Sequence, residues 1–312
     1  MIYAGIDVGG TFIKAGLTDE SGALLCKTRI PSGVGRPYEQ IIRDMSDAMN
    51  SLAAQQGIRA DEIAGVGVGI PGVAQDGLVI VHNLYWFDVP LAAEFKKHSG
   101  VPMTIDNDAT AAALYEHRFG ALADCSVGIL LTLGTGVGGG IIIGGKPFSG
   151  AHGLGGELGH IIIAPHGVQC TCGGKGCLEA YTSAGALVRM GRRCVIDRPE
   201  GMLHHRTEGD YLKVTPQLIF EVAREGDYLA NAIIDEYVYY LSLGIATLEN
   251  SFDPDVIAIG GGISGGGDLL LDKLKKASEG LGIFENKQYA ELKIAHAGND
   301  AGVIGAALLA MV

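Results

Sequence analysis

One glycine-rich loop concentrates the residues with the most distinctive chemistry. Three of the six cysteines, Cys170, Cys172 and Cys177, fall in this loop, and two acids, Glu157 and Glu179, flank it. Each of three nearby histidines offers a fourth ligand: His152, His160 and His166. Four soft or borderline ligands at this spacing are typical of a tetrahedral Zn²⁺ site. Four protein ligands leave the metal no open position, so the sequence predicts a structural zinc that fixes the flanking acids.

Two other interpretations of the cysteines compete with zinc. A disulfide is disfavoured because Cys-x-Cys has poor geometry for one and because we expect no secretory leader before the strand pattern that follows Met1. Three unrelated buried thiols are disfavoured because a glycine-rich loop offers few apolar side chains to bury them. The choice among the three histidines stays open on spacing alone.

Two strand–glycine–strand patterns predict loops that contact phosphate. In the first, Gly9, Gly10 and Thr11 form a tight turn beside Asp7. Its backbone N–H groups and hydroxyl can hold a phosphate while Asp7 faces the accompanying Mg²⁺, although an ordinary glycine hairpin gives the same pattern. The second pattern runs through residues 134–140. Two such hairpins in one chain predict two phosphate-binding loops around one nucleotide, ATP.

The pair Asn107-Asp108 stands where a predicted strand at 101–106 is followed by a helix. An aspartate at this position caps the helix or benefits from the helix dipole in the first turn. The same position also directs a carboxylate out of the sheet edge, where it can take a proton from a substrate hydroxyl during phosphoryl transfer. The local sequence leaves both interpretations open.

Three further positions have both an ordinary and a functional interpretation. Gly72 ends the buried strand predicted at 63–70, at the carboxyl edge where open α/β sheets bind ligands. Asn83 is typical of a turn residue. Gly261 belongs to a strand-and-glycine segment at 255–264, which is typical of a sheet-to-helix turn or of a contact with the base or ribose of a nucleotide.

Hydrophobic periodicity predicts the elements that position these residues. Strands are predicted at 2–8, 12–19, 23–30, 63–70, 101–106, 126–133, within 255–264, and at 292–297. Helices are predicted at 37–56, from 107 onwards, at 177–193, from an N-cap at Thr215 before Pro216, at 228–252 and at 300–312. Residues 194–214 show no clear periodicity and are predicted to be loop.

Composition narrows the class of protein. A length of 312 residues favours two domains. The net charge of −12, without a basic run, argues against nucleic acid or an anionic membrane as the main partner. No apolar run reaches membrane-spanning length. We expect a soluble, cytoplasmic protein.

Taken together, the motifs resemble those of the ROK family of sugar kinases, which belongs to the actin-like, hexokinase-like ATPases. The resemblance covers nearly the whole chain and rests on the following motifs: DVGGTFIK at 7–14, IPG at 70–72, NDA at 107–109, LGTGVGGG at 133–140, GELGH at 156–160, CTCGGKGCLE at 170–179 and GGGIS at 260–264. The combination of GELGH with the cysteine motif is far more specific than any glycine loop.

The resemblance implies a role for each matched position. Asp108 is implied as the catalytic base. Sugar ligands are implied at Gly72, Asn83, Asn107, Asp108, Glu157, His160 and Glu179, which replaces the turn interpretation of Asn83. The nucleotide site is implied at Asp7, Gly9, Gly10, Thr11, Lys14, Gly134, Thr135, Gly136, Gly138 and Gly261. The zinc set is implied as His160, Cys170, Cys172 and Cys177, which selects His160 among the three histidines.

The resemblance also implies fold and activity. We expect an actin-like, ribonuclease H-like α/β fold of two domains with an interdomain cleft, the first domain formed by 1–117 plus 298–312 and the second by 118–297. We expect an ATP- and Mg²⁺-dependent kinase for the 6-hydroxyl of a hexose, with glucose as the favoured substrate, working as a homodimer or higher homo-oligomer. Alternatives are allose, mannose, fructose, N-acetylmannosamine or N-acetylglucosamine as substrate, or a non-catalytic sugar-sensing regulator.

Four residues depart from the pattern commonest in glucokinase-like members: His82, Tyr85, Leu154 and Gly155. These departures concern the identity of the sugar. A family repressor would carry a DNA-binding helix-turn-helix domain before the first strand, so we expect no nucleic-acid partner.

Overall fold

A computed structural model describes residues 1–284, 289–296, 298 and 300–312. The strands of this part are β1 (Ile2–Val8), β2 (Phe12–Asp19), β3 (Leu24–Pro31), β4 (Ile63–Ile70), β5 (Val73–Gln75), β6 (Leu78–Val81), β7 (Trp86–Val89), β8 (Met103–Asn107), β9 (Val127–Leu133), β10 (Val137–Ile143), β11 (Lys146–Pro147), β12 (Val256–Gly260) and β13 (Glu291–Ile294). The helices are α1 (Tyr38–Gln55), α2 (Leu91–Ser99), α3 (Asp108–Phe119), α4 (Glu179–Thr182), α5 (Ala184–Asp197), α6 (Met202–Thr207), α7 (Pro216–Arg224), α8 (Tyr228–Phe252), α9 (Asp268–Ser278) and α10 (Ala301–Leu309).

The chain packs into two compact units. The first unit comprises Met1–Asp124, Gly140–Gly156 and His296–Val312, and the second comprises Cys125–Gly139 and Glu157–Ala295. The domain boundaries that we expect after residues 117 and 297 stay a prediction. Residue 297 lies outside the described residues.

The sheet of the first unit has the strand order β3-β2-β1-β4-β8. The first three strands form an antiparallel meander, whereas β4 and β8 run parallel to β1. Because the carboxyl ends of β1, β4 and β8 meet at one edge, this topology brings Asp7, Gly72 and the Asn107-Asp108 pair to that edge. β3 alternates between half-buried and exposed residues, as expected of an edge strand, whereas β4 is buried along nearly its whole length, as expected of an interior strand.

Helix α10 packs directly on the backbone of this sheet. A Cβ atom on Gly67 of β4 would lie 1.7 Å from the carbonyl oxygen of Ala306, and one on Gly5 of β1 would lie 1.9 Å from that of Val303. Only glycine permits so close an approach, and the small side chains of α10 complete it. The glycines of β4 thus serve helix–sheet packing rather than flexibility.

The second sheet has the order β11-β10-β9-β12-β13, in which β9, β12 and β13 are parallel. The boundary between the units falls within β10, after Gly139. Helix α8 coincides with the helix predicted at 228–252 but is only partly buried, since Tyr228 and Tyr239 are exposed. Tyr237 in its middle is fully buried, with its hydroxyl donating to the carbonyl oxygen of Thr182 at 2.6 Å. The mixed α/β class is therefore confirmed.

Two sequence-based assignments are wrong, and one small sheet was not predicted. The helix predicted at 177–193 is two helices, α4 and α5, because the hydroxyl of Ser183 accepts from the N–H of Ala186 and starts α5 as an N-cap. Residues 194–214 are not loop, since α5 continues to Asp197 and α6 follows. The sequence also did not indicate the small β5-β6-β7 sheet, whose strands have three or four residues each and are too short for a periodic signal.

Candidate functional site

The first glycine turn, Gly9–Thr11, is held by backbone and by a serine from the neighbouring strand. The N–H of Gly9 donates to the carbonyl oxygen of Phe12 at 3.1 Å. Buried Ser32 donates its hydroxyl to the carbonyl oxygen of Gly9 at 2.5 Å and its N–H to that of Thr11 at 3.0 Å. The turn is thus fixed before any ligand arrives. Sequence analysis missed Ser32, which lies just beyond the predicted strand and carries no motif.

Asp7 lies beside this turn at the end of β1. Burial raises the pKa of its carboxyl, and Lys14, paired with Asp7 across β1 and β2, opposes that rise. The lysine Nζ lies 3.5 Å from Asp7 Oδ2. A Cβ atom on Gly302 would lie 2.6 Å from the same oxygen, so the start of α10 shields the carboxylate from one side. A partly desolvated carboxylate next to exposed N–H groups suits a cation that accompanies phosphate.

The strand–helix junction uses Asn107 as the helix cap and places Asp108 first in the helix. Asn107 Oδ1 accepts from the N–H of Ala109 at 2.8 Å, and its Nδ2 donates to the carbonyl oxygen of Gly72 at 3.1 Å. Gly72 in turn donates its own N–H to Ile70 at 2.9 Å. Because Asn107 does the capping, the carboxylate of Asp108 is not required for it. Asp108 is half-buried and engaged in contacts of its own.

Asn83 lies in a 3₁₀ turn, His82–Leu84, and is exposed. Tyr85 ends this turn in the left-handed region with φ 56°, which is unusual for an aromatic residue. A Cβ atom on Gly10 would lie 3.3 Å from Asn83 Nδ2, so the Asn83 amide faces the first glycine turn.

In the second unit, His160, Cys170, Cys172 and Cys177 bring four ligand atoms within 4.8 Å of one another. The sulfur atoms of Cys172 and Cys177 are 3.7 Å apart, and Cys170 Sγ is 3.8 Å from His160 Nδ1. Ligands at about 2.3 Å from a tetrahedral zinc ion lie about 3.8 Å from one another. The four side chains therefore fit a closed tetrahedral site, and His160 is the histidine of this cluster.

Two of the three thiols of this cluster, Cys170 and Cys177, are poorly suited to carry charge on their own. Burial, followed by the neighbouring thiols, raises the pKa of Cys177 to about 12, and burial raises that of Cys170. A hydrogen bond from the N–H of Gly174 lowers the pKa of Cys172. A divalent cation offsets this penalty because it stabilises thiolates directly.

Protein contacts also hold the metal loop, Cys170–Cys177. Tyr181 packs on Cys170 and Cys177, and its hydroxyl accepts from the N–H of Val168 at 2.8 Å. The side-chain amide of Gln169 donates to the carbonyl oxygens of Gly173 and Gly174 at 3.0 and 2.9 Å.

Glu179 joins the metal loop to the second glycine turn, Gly134–Val137. Its Oε2 accepts from the N–H of Val137 at 3.0 Å, and its Oε1 accepts from the hydroxyl of Thr171 at 2.9 Å. A Cβ atom on Gly136 would lie 2.6 Å from Oε2, so glycine is needed there for the carboxylate to approach. The sequence did not indicate this link, because it depends on tertiary contacts of Glu179 with Thr171 and Val137 that no local motif marks.

Further predicted positions of the second unit are Glu157, Thr135 and Gly261. His160 Nε2 is 4.0 Å from Glu157 Oε2, and the N–H of His160 donates to the carbonyl oxygen of Glu157 at 3.0 Å. Gly261, with φ 80°, follows β12 and would place a Cβ atom 2.5 Å from the carbonyl oxygen of Leu133. A cavity of about 550 Å³ opens beside Thr135 and is lined by Ala184, Gly185, Val188, Arg189, Arg192 and Pro216.

The predicted residues therefore gather into two groups, one in each unit. The first unit brings together Asp7, the first glycine turn, Gly72, Asn83 and the Asn107-Asp108 junction. The second brings together Glu157, His160, the metal loop, Glu179 and the second glycine turn. No helix in the described part of the chain is both long and apolar enough to cross a membrane.

Comparisons with known proteins identify the family of the chain. The sequence profile of the ROK family matches residues 3–312. The glucokinase of Halalkalibacterium halodurans is 37% identical over 310 residues, which cover 97% of this chain and 93% of that protein. The glucokinase of Streptomyces coelicolor is 37% identical over 313 residues, which cover 98% and 96% of the two chains. The crystal structure of a ROK family glucokinase from Streptomyces griseus in complex with glucose and AMPPNP matches with a TM-score of 0.81 at 34% identity, covers 100% of this chain and 99% of that chain, and confirms the expected actin-like fold.

Proposed function

Because the chain belongs to the ROK family, we propose that it is an ATP-dependent hexose kinase that phosphorylates the 6-hydroxyl of glucose. The observation that carries the proposal is the similarity to two glucokinases over nearly the full length of each, together with the likeness to a glucokinase whose structure holds glucose and AMPPNP. The two groups of site residues supply the chemistry such a reaction needs.

In this proposal Asp108 is the catalytic base. It orients the 6-hydroxyl of the sugar and takes its proton as the new O–P bond forms, while the terminal phosphoryl group leaves ADP. A carboxylate of ordinary basicity suffices because phosphoryl transfer depends on positioning and charge stabilisation more than on a strong base.

The sugar is bound by the polar side chains of both groups: Asn83, Asn107, Glu157, His160 and Glu179, with the backbone of Gly72. Carboxylates that accept hydroxyl hydrogen bonds discriminate strongly among sugars, since a missing hydroxyl leaves a desolvated charge without its partner. The hydrogen bonds of Glu179 to Val137 and Thr171 hold that carboxylate in place before the sugar binds.

The proposed nucleotide ligands are the residues of the two glycine turns: Asp7, Gly9, Gly10, Thr11 and Lys14 in the first unit, and Gly134, Thr135, Gly136 and Gly138 in the second. The cavity beside Thr135 and the nearby Gly261 suit the base and ribose. Asp7 would hold the Mg²⁺, which when bound offsets the charge of the β- and γ-phosphates. The His160–Cys170–Cys172–Cys177 set would hold a structural Zn²⁺ that orders the loop and supplies no reacting group.

A coupled assay of ADP release with a panel of sugars tests the proposal. The panel contains glucose, allose, mannose, fructose, N-acetylglucosamine and N-acetylmannosamine, because the departures at His82, Tyr85, Leu154 and Gly155 bear on the sugar. We expect the highest kcat/KM with glucose. Absence of hexose-dependent ADP release would contradict the kinase assignment, and a clear preference for another sugar would correct the substrate.

We also propose that the protein forms a homodimer or larger homo-oligomer and works in the cytoplasm. Light scattering measures the oligomeric state.

A further inference from the structure

One carboxylate next to the proposed base has no role in the mechanism above. Asp106 is half-buried at the end of β8, two residues before Asp108. Its Oδ1 accepts from the N–H of Asn107 at 2.7 Å, and its Oδ2 accepts from the hydroxyl of Ser149 at 2.7 Å. Both oxygens of the Asp106 carboxylate thus accept hydrogen bonds, one from Asn107 directly before the proposed base and the other from Ser149, which is distant along the chain.

The distant segment is a closed loop, residues 149–155. The carbonyl oxygen of Ser149 accepts from the N–H of Gly155 at 2.8 Å, so Ser149 forms the neck of the loop. Gly153 has φ 69°, and a Cβ atom there would lie 2.4 Å from the carbonyl oxygen of Ala74, so the loop packs tightly against β5. Two residues after Gly155 comes Glu157, a proposed sugar ligand.

The contact from Asp106 to Asn107 reaches the base through the helix cap. The N–H of Asn107 donates to Asp106, while the side chain of the same asparagine caps α3 at Ala109. A displacement of the Asp106 carboxylate therefore shifts the residue that both precedes Asp108 and sets the start of its helix. Since the two carboxylate oxygens cannot move independently, the position of Ser149 and the position of the base are coupled.

Resting on the proposed kinase function, we infer that Asp106 and Ser149 form a positioning pair that fixes loop 149–155, which precedes the proposed sugar ligand Glu157, against the strand–helix junction of the base. Neither residue touches the reacting atoms in this assignment. The pair sets the distance between Asp108 and the bound sugar, so it governs turnover with the sugar rather than affinity for ATP.

Ser149→Ala removes the hydroxyl and leaves the fold intact, because the backbone bonds of the loop neck remain. We expect kcat with glucose to fall on the order of tenfold, since small displacements of a reacting group are costly. The KM for ATP should stay within about twofold and the melting temperature within about 3 °C. Ser149→Thr restores the hydroxyl and should recover most of the lost kcat.

The matched control is Ser21→Ala. Ser21 donates its hydroxyl to Asp19 Oδ1 at 2.6 Å in the turn between β2 and β3, the same chemistry in the same unit but away from the site. Its kcat should equal that of the wild type. In a double-mutant cycle, Asp106→Ala with Ser149→Ala should be no slower than Asp106→Ala alone, because each change breaks the same contact. Should Asp106→Ala fail to fold, the Ser149→Ala and Ser149→Thr pair decides alone.

Several outcomes separate the inference from the function on which it rests. Wild-type protein without hexose-dependent ADP release contradicts the kinase assignment itself. Active wild-type protein together with a Ser149→Ala kcat within twofold overturns the positioning pair only. The pair is also overturned if Ser149→Ala raises the KM for ATP as much as it lowers kcat, or if Ser149→Thr fails to recover activity.

Discussion

The two groups of proposed site residues differ in what holds them. In the first unit, Asp7 lies at the end of β1 and Asp108 directly follows β8, and the first glycine turn is held by backbone carbonyl oxygens and buried Ser32. In the second unit, Glu179 follows a loop that is ordered by side chains and by four potential metal ligands. The second glycine turn is then held by that carboxylate at Val137.

This difference means that two similar sequence patterns have different tolerances. The first half of the site is built into a sheet and inherits its rigidity. The second half depends on side-chain contacts that a single substitution or loss of metal can release. Substitutions in the first half should therefore change the reaction rate without disturbing the fold. Substitutions or metal loss in the second half should instead increase the mobility of the loop that carries the site residues.

The largest expected effect comes from Asp108→Asn. The change removes the proton acceptor but keeps the shape, and Asn107 still caps α3. We expect kcat to fall by on the order of 10²-fold or more, with glucose affinity retained. The melting temperature should fall by no more than about 3 °C, because a first-turn acid contributes about 0.3–1 kcal/mol to a helix. Steady-state kinetics and a thermal melt measure the two quantities.

Glu39→Gln is the matched control for that variant, since Glu39 is a first-turn acid of α1 outside the site. It should show a similar small loss of melting temperature and full activity. An Asp108→Asn protein with near-normal kcat would remove Asp108 from the role of base. One with a large drop in melting temperature would show that the first half is less rigid than its secondary structure indicates.

Sequence patterns predicted the regular half of the site better than the irregular half. The β1, β4 and β8 strands, the first glycine turn and the helix at Asp108 all follow from periodicity and capping, which are local. The bond from Glu179 to Val137 joins residues that are distant along the chain, and Ser32 and Ser149 act through hydroxyls that no motif marks. Such contacts depend on tertiary packing, so no local rule could have identified them.

An intermediate effect is expected from alanine at the two glycine turns. In Gly9→Ala the new Cβ atom would lie 2.7 Å from the carbonyl oxygen of Phe12, which is backbone and cannot easily retreat. We expect kcat/KM for ATP to fall on the order of thirtyfold. In Gly136→Ala the clash is with the end of the Glu179 side chain, which can swing away at the cost of one hydrogen bond, so the loss should be about threefold.

The ratio of the losses of kcat/KM in Gly9→Ala and Gly136→Ala measures the difference in rigidity between the two glycine turns. Gly265→Ala serves as the control, since a Cβ atom there meets nothing within 4 Å and the variant should behave as the wild type. Equal losses for Gly9→Ala and Gly136→Ala would contradict the claim that the first turn is held by backbone and the second by a side chain.

The most local expected effect comes from removal of the metal. Dialysis against a zinc chelator should speed amide hydrogen exchange in residues 160–179 and leave β1 and β2 unchanged. Glucose affinity should weaken on the order of tenfold, because Glu179 loses support at Thr171 while its bond to Val137 remains. Calorimetric titration of glucose measures this change, and added Zn²⁺ should reverse it. Cys172→Ser should reproduce the effect, whereas Cys194→Ser, which changes a cysteine outside the cluster, should not. If chelation strips a bound metal and glucose affinity does not change, then Tyr181 and Gln169 alone suffice to hold the loop, and the second half of the site is as self-supporting as the first.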